Sequence, residues 1–253
     1  ECAPSTGKRI AVVGGGPGGL SAAYYLQLMG HQTTVFEMLP KLGGMLRYGI
    51  PNYRLPKDRL DEDIQAILET GVQVEFGKRI GKDITIQSLR QEYDAVLISI
   101  GASTDKKLGI EGEHSEGVLS AVQFLRDVGK NQNPDLTGQE VAVIGGGNVA
   151  MDAARTAKRL GAEVHVVYRR GEEELPARKE EVHHAKEEGI IFDLLQNPTE
   201  LLVDENGCVK GARVIKMELG EPDASGRRKP IVKEGSNFEI PVDMVIMLSL
   251  IHI

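Results

Sequence analysis

Apolar and polar positions along the chain alternate in two rhythms. Short unbroken apolar runs, IAVV at 10–13 and VAVI at 141–144, read as strands buried on both faces. Each run meets a cluster of glycines and then a stretch whose apolar residues recur at helical spacing. A single glycine closes that stretch, and a second apolar run follows, TTVF at 33–36 and VHVV at 164–167. Strand, glycine turn, helix, strand is half of a doubly wound α/β fold. The two segments, Ile10 to Glu37 and Val141 to Tyr168, align without a gap, and nine aligned positions are identical, among them Gly14/Gly145, Gly16/Gly147 and Gly30/Gly161.

The rest of the pattern is consistent with that architecture. LPKDRLDEDIQAILETG predicts a helix from Lys57 to about Glu69 with Gly71 just beyond its end. VQVEF predicts a strand, and YDAVLISIGAS (93–103) predicts another, buried, that ends in a small-residue turn at Gly101 and Ala102. A loop-rich link, a short helix in LSAVQFLRDVG and a polar linker, KNQNPDLTGQ, lead to the second copy. The domain boundary is expected in this connection, giving domains 1–115 and 116–253. PARKEEVHHAKEEGI predicts a helix stopped by Gly189. FDLLQNPTELLVD, CVKGARVIKMEL and FEIPVDMVIM predict strands joined by polar turns. The expected fold class is α/β: two Rossmann-like dinucleotide-binding domains, three-layer, with mainly parallel central sheets.

Each copy carries a G-x-G-x-x-G/A pattern between strand and helix, which points to a bound dinucleotide. The first glycine permits the tight turn, and the second lets backbone approach a pyrophosphate. The third position, Gly19 or Ala150, lets helix and strand pack closely. The helix N-terminus then offers free N–H groups and partial positive charge to the anion.

The copies differ where the second strand ends. In the first, Glu37 stands where a carboxylate accepts hydrogen bonds from ribose hydroxyls, which suits FAD or NAD. In the second the matching residue is Tyr168, followed by Arg169 and Arg170. A carboxylate repels a 2′-phosphate, whereas guanidinium groups grip it in a fork. The second copy is therefore expected to hold NADP(H), with Arg178 joining the phosphate pocket if the loop GEEELPAR folds back. Glu172 to Glu174 read as solvated surface or as neutralising neighbours.

Composition narrows the field. The chain has 253 residues, 41% hydrophobic and 26% charged, a globular composition. Its net charge of −7 argues against nonspecific binding to nucleic acid or an anionic membrane. No apolar run reaches spanning length. Cys2 and Cys208, the two cysteines, form no C-x-x-C pair, so neither a metal knuckle nor a redox dithiol is written here. No signal-peptide core precedes the first strand, and a reducing cytoplasmic location is expected. His183 and His184 are adjacent on a helix, a poor joint metal site, and read as surface residues. No acid, base or nucleophile stands out, and no catalytic residue is named.

Several blocks are more specific than the glycines: TGKRIAVVGGGPGGLSAA, LGGMLRYGIPNYRLPK, YDAVLISIGA, VAVIGGGNVAMDAARTAKRLGA, YRRGEEELPAR with EEVHHAKEEGI, and KMELGEPDASGRRKPI. On these the chain resembles, over nearly its whole length, the small (beta) subunit of glutamate synthase. Relatives of that group are the NADPH- and flavin-binding region of dihydropyrimidine dehydrogenase and the large subunit of NADH-dependent ferredoxin:NADP oxidoreductase.

The resemblance implies an FAD domain interrupted by an NADP(H) domain. FAD would lie on Gly14, Gly16, Pro17, Gly18, Gly19, Glu37, Gly43, Gly44 and Leu46, with Gly101 and Ala102 nearby. NADP(H) would lie on Gly145, Gly147, Asn148, Val149, Arg169, Arg170 and Arg178. It also implies hydride transfer between NADPH and FAD, with electrons passing through iron–sulfur clusters to or from a partner oxidoreductase subunit or ferredoxin. In the family an iron–sulfur domain precedes the first strand and a closing flavin segment follows the last. Those parts, clusters included, are not in this chain, which is expected to be truncated at both ends, and the terminal LSLIHI does not resemble the family's continuation. A second reading is an NADPH-binding fragment or sensor without turnover. A disulfide reductase of the thioredoxin reductase type would need the paired cysteines that are missing.

Overall fold

A computed structural model describes residues 2–102, 108–222, 224 and 226–248. Ser103, residues 104–107 of the loop-rich link and residues 249–253 of the terminal LSLIHI lie outside them. The chain forms two compact units, Glu1–Ser103 and Thr104–Ile253.

The first unit is a parallel sheet of four strands in the order β3-β2-β1-β4: β1 Arg9–Val13, β2 Gln32–Glu37, β3 Gln73–Phe76 and β4 Ala95–Ile98. Helices α1 (Pro17–Leu28) and α3 (Lys57–Leu68) cover one face, where Val12, Leu20, Ala23, Val35, Leu60 and Ile64 pack together. A one-turn helix, α2 (Met45–Tyr48), precedes α3. On the other face Ala11, Val13 and Phe36 pack on Leu89 of α4 (Ile86–Glu92). The sequence pattern did not signal α4, which Thr85 caps by accepting a hydrogen bond from Ser88 N.

The second unit has three layers. Its centre is a parallel sheet in the order β5-β13-β6-β7-β8: β5 Val118–Ser120, β6 Glu140–Ile144, β7 Glu163–Tyr168, β8 Ile191–Leu194 and β13 Met244–Met247. Helices α5 (Ala121–Gly129), α6 (Asn148–Arg159) and α7 (Lys179–Glu187) supply one face, with Phe124, Leu125, Ala154 and Ala185 among the packed residues. An antiparallel sheet covers the other. It contains β9 (Gln196–Val203), β10 (Val209–Pro222), β11 (Arg228–Val232) and β12 (Phe238–Pro241). Here Leu201, Ala212 and Val214 pack on Ala142, Val167 and Val245.

Three expectations change. The run 93–103 is not a buried strand: Leu97 is 39% and Ile98 59% exposed, because β4 is the last strand of its sheet among the described residues. FEIPVDMVIM is two strands in two different sheets, divided at Val242–Asp243, with β12 antiparallel and β13 parallel. The boundary also lies earlier than 115/116. Leu201 N donates to Glu111 O at 2.9 Å and Ile110 packs among the second unit's core residues, so this stretch folds with the second unit.

Candidate functional site

The two glycine turns follow one plan. Gly14 has φ +109° and a Cβ there would collide with the Ser99 carbonyl; a Cβ on Gly19 would collide with Gly14 O. These two glycines are required by the chain's own conformation and packing. Gly16 differs. Its φ is −79°, which any residue adopts, and a Cβ would meet only Gly44 Cα, at 3.8 Å. Gly145 and Gly147 repeat the contrast. Gly145 has φ +143°, whereas Gly147 has φ −89° and a Cβ on it would meet nothing within 4 Å. Nothing in the fold demands glycine at Gly16 or Gly147. Both stand at the start of a helix with no side-chain cap, so the first N–H groups of α1 and α6 are left open. Pro17, Gly18, Asn148 and Val149 lie exposed beside these openings.

The middle glycine of each turn is clasped by the end of the second strand. A Cβ on Gly15 would strike Leu42 and come within 2.9 Å of a Glu37 oxygen; one on Gly146 would lie 2.6 Å from Leu175 and 2.9 Å from the Tyr168 ring. The loop beyond the strand then returns to the turn. Gly43 N donates to Gly15 O at 2.8 Å, and Ala177 N donates to Gly146 O at 3.1 Å. In the first unit this brings Gly44 onto Gly16, where a Cβ would sit 2.7 Å from Gly16 Cα. In the second, GEEELPAR folds back, and Arg178 N donates to Asn148 Oδ1 at 2.9 Å.

Glu37 is 7% exposed. One carboxylate oxygen accepts from Gly15 N and the other from Leu39 N, each at 2.8 Å. Two of its roughly four acceptor positions are used, which fixes the carboxylate and leaves capacity for hydroxyl donors. Tyr168, in the matching place, donates its hydroxyl to Glu174 O at 3.0 Å and offers no carboxylate.

Two cations that sequence reasoning passed over hold the 42–50 loop. Arg47, buried, donates Nε to Leu42 O and pairs with Asp61. Lys57 Nζ donates to Leu46 O at 2.8 Å and Ile50 O at 2.6 Å; burial first, and Arg47 second, hold its pKa below the usual lysine value. Their bonds to Leu42 O, Leu46 O and Ile50 O end on backbone carbonyls, which carry no signature in sequence.

Arg169 is exposed and has no hydrogen-bond or ion-pair partner among the described residues. Arg170 is 7% exposed and donates Nε to Arg228 O at 2.8 Å. Arg228 in turn binds Glu174 and Glu173, while Glu172 pairs with Lys186. The acidic run is therefore a set of neutralising neighbours. Gly101 and Ala102 are exposed just past β4, with Gly101 at φ +68°; Ser99 and Ile100, not they, pack against Gly14.

Two strand–glycine–helix turns, each with a glycine that the fold itself does not need, define an α/β protein built for two dinucleotides. The chain belongs to the pyridine nucleotide-disulphide oxidoreductase family, whose pattern matches residues 8–248.

Among curated proteins it is 48% identical to the NADP(+)-dependent formate dehydrogenase subunit beta of Moorella thermoacetica, over 96% of this chain and 35% of that protein. It is 45% identical to the NADPH-Fe(3+) oxidoreductase subunit beta of Geobacter sulfurreducens (96% and 37%). The likeness to the glutamate synthase family is borne out at 36% identity to the Glutamate synthase [NADPH] small chain of Escherichia coli (96% and 54%). The chain thus spans about a third to a half of the length of these relatives. Among solved structures, Mycobacterium tuberculosis FprA in complex with NADPH matches with a TM-score of 0.78 at 22% identity, over 97% of this chain and 70% of that one. Lactococcus lactis thioredoxin reductase matches at 0.68 and 21% identity (96% and 77%). Both share the fold.

Proposed function

We propose that the chain is the NADPH- and FAD-binding electron-transfer module of a larger oxidoreductase of the glutamate synthase small-subunit type. The observation that carries this reading is the pair Gly16 and Gly147. Each is a glycine with ordinary φ and open space beside it, at an uncapped helix start. A pyrophosphate needs that backbone access, and the residues present fit one in each unit.

The first unit suits FAD through Gly14, Gly16, Pro17, Gly18, Gly19, Glu37, Gly43, Gly44 and Leu46, with Gly101 and Ala102 at the end of β4. The second suits NADP(H) through Gly145, Gly147, Asn148, Val149, Arg169, Arg170 and Arg178. Bound FAD supplies the capacity to exchange a hydride with the nicotinamide and to pass electrons on. The chain's own residues bind and orient. Glu37, fixed by two N–H donors, accepts ribose hydroxyls; the open N–H groups of α1 and α6 face pyrophosphates; the arginines after β7 select the 2′-phosphate.

Cys2 and Cys208 are both free. Disulfide chemistry is therefore not assigned to this member of the family, and a reducing cytoplasm suits it. The names of the relatives as beta subunits and small chains support a partner subunit as electron acceptor or donor, with ferredoxin as the alternative partner and iron–sulfur clusters in parts outside this chain. No helix among the described residues is long and apolar enough to cross a membrane.

The test is a visible spectrum of the purified chain after FAD is added and the excess removed, repeated anaerobically with NADPH. A retained flavin spectrum that bleaches with NADPH is expected. A colourless chain that still binds NADPH would leave it an NADPH-binding fragment without turnover.

A further inference from the structure

We propose that Lys57 is a positioning residue of the first unit's dinucleotide site: it holds an unneutralised positive charge behind the 42–50 loop, and the anion received at that loop is its counter-ion. The inference rests on the reading of the first turn as an FAD site, and it adds a cation that does not itself line that site.

Lys57 opens α3 and is half-buried. Its Nζ donates to Leu46 O at 2.8 Å and to Ile50 O at 2.6 Å, one carbonyl within α2 and one just beyond it. No carboxylate pairs with it among the described residues. On its own helix the place for a counter-ion is one turn on, at Asp61. Asp61 is taken: it pairs with Arg47, which is buried and also donates Nε to Leu42 O. Two cations therefore share one carboxylate. The other ionisable groups of this corner are Tyr48 on α2, Arg54 in the loop, Asp58 on α3 and Glu37 at the end of β2. Glu37 is engaged by Gly15 N and Leu39 N, and Asp58 by Arg59 N.

A half-buried ammonium with only carbonyl partners is costly, because carbonyls supply hydrogen bonds but no net charge. Burial first, and repulsion from Arg47 second, hold its pKa below the ordinary lysine value of 10.5. The charged form is thus less favourable in the empty protein than in water, and a ligand that restores it must be negative. Perturbation by desolvation and a neighbouring charge clusters at binding and catalytic sites.

The loop ties this charge to the first glycine turn. Gly43 N donates to Gly15 O at 2.8 Å, and a Cβ on Gly44 would lie 2.7 Å from Gly16 Cα. Leu46, whose carbonyl Lys57 holds, follows two residues later. An anion received at Gly16 therefore rests on the loop that Lys57 backs, and a half-buried pair is screened less than one in open water. By linkage the anion raises the pKa of Lys57, and a neutral lysine offers it no attraction.

FAD titrated into the purified chain from about pH 7 to about pH 10 tests the assignment, with Lys57→Met beside the parent and NADPH as the control ligand. Lys57→Met, similar in length and uncharged, is expected to bind FAD about tenfold more weakly than the parent at neutral pH and to keep NADPH within about twofold. As pH rises through the lowered pKa of Lys57 the parent is expected to lose that advantage, so the gap closes toward the alkaline end, and the parent takes up protons on binding FAD in that range. Ionisation of Tyr48, whose pKa burial raises, and of the flavin ring itself is common to both proteins and cancels in their difference.

A gap that stays constant with pH would make Lys57 a neutral tie of the loop and overturn the proposal. Equal FAD affinities at neutral pH would overturn it as well, as would equal losses of FAD and NADPH, the mark of a damaged fold. If Lys57→Met does not fold, Lys57→Gln is scored in its place. A parent chain that binds NADPH but no FAD at neutral pH is a separate result: it refutes the flavin reading of the first unit, and the proposal falls with it.

Discussion

The two units are built from the same parts, yet the same strand is exposed in one and buried in the other. YDAVLIS (93–99) and VDMVIML (242–248) occupy matching positions. Each runs parallel to the strand that leads into its unit's glycine turn, Ser99 N donates to Val13 O and Leu248 N to Ile144 O, and an aspartate immediately precedes each strand. Asp94 accepts from Arg9 N and Asp243 from Glu140 N, both at 2.9 Å, and the aspartate N–H groups return bonds to Arg9 O and Glu140 O. Leu97 is 39% exposed where Ile246 is 0%, and Ile98 is 59% exposed where Met247 is 5%. The difference lies in the neighbours. β13 has β5 along its outer edge and an antiparallel layer over one face, and β4 has neither among the described residues. Apolar character in a strand states that burial is possible; the elements around it decide whether burial happens.

Matched truncations should separate the two positions most widely. Ile246→Ala removes a fully buried side chain and is expected to cost about 2–4 kcal/mol, whereas Leu97→Ala should cost less than about 1 kcal/mol. Denaturant melts followed by circular dichroism read both. Equal costs would mean that the exposure of β4 does not describe the protein in solution.

The ends of the second strands give the next largest contrast. Glu37→Gln leaves one of its two backbone N–H donors, Gly15 N or the part-buried Leu39 N, without an acceptor, at about 2 kcal/mol, and should loosen FAD as well. Tyr168→Phe loses only the neutral bond to Glu174 O, at about 1 kcal/mol, and should leave FAD untouched. Flavin retention after desalting distinguishes them, and loss of FAD in the Tyr168 variant would break the separation of roles.

The smallest effect is a pH dependence confined to the second unit. Glu188 accepts from Arg155 and Arg159. Burial pushes its carboxyl up, but the hydrogen bonds and charges of Arg159 and Arg155 together outweigh burial and hold it below the usual value. A carboxyl depressed in the folded state stabilises fully above its unfolded value, near 4.3, and that contribution is lost as pH falls through the folded value. Glu188→Gln should therefore reduce stability by roughly 0.5 kcal/mol at neutral pH and by less in acid. A penalty that grows on acidification would contradict this sign.

What the sequence revealed was local. The glycines, the duplicated strand–turn–helix and the change from Glu37 to Tyr168 all act within a few residues of where they are written. Three features depended on distant partners. The correspondence of YDAVLIS with VDMVIML is faint in the sequence because the pair shares only the aspartate and one valine, and because a whole antiparallel layer lies between β6 and β13 in the chain. The exposure of β4 depends on neighbours that its own residues do not encode. The burial of Arg170 depends on Arg228, in a hairpin far along the chain, so the two arginines read alike until the fold set them apart.

The central claim is that each unit keeps one glycine for a ligand rather than for itself, and that the two ligands differ. The most direct measurement places a methyl group at each: Gly16→Ala and Gly147→Ala, with melting temperature, FAD retention and NADPH affinity recorded for both. The account predicts that both variants keep the parent melting temperature, that Gly16→Ala loses FAD and keeps NADPH, and that Gly147→Ala does the reverse. Undiminished binding of both dinucleotides in both variants, or loss of both in either one, would contradict it.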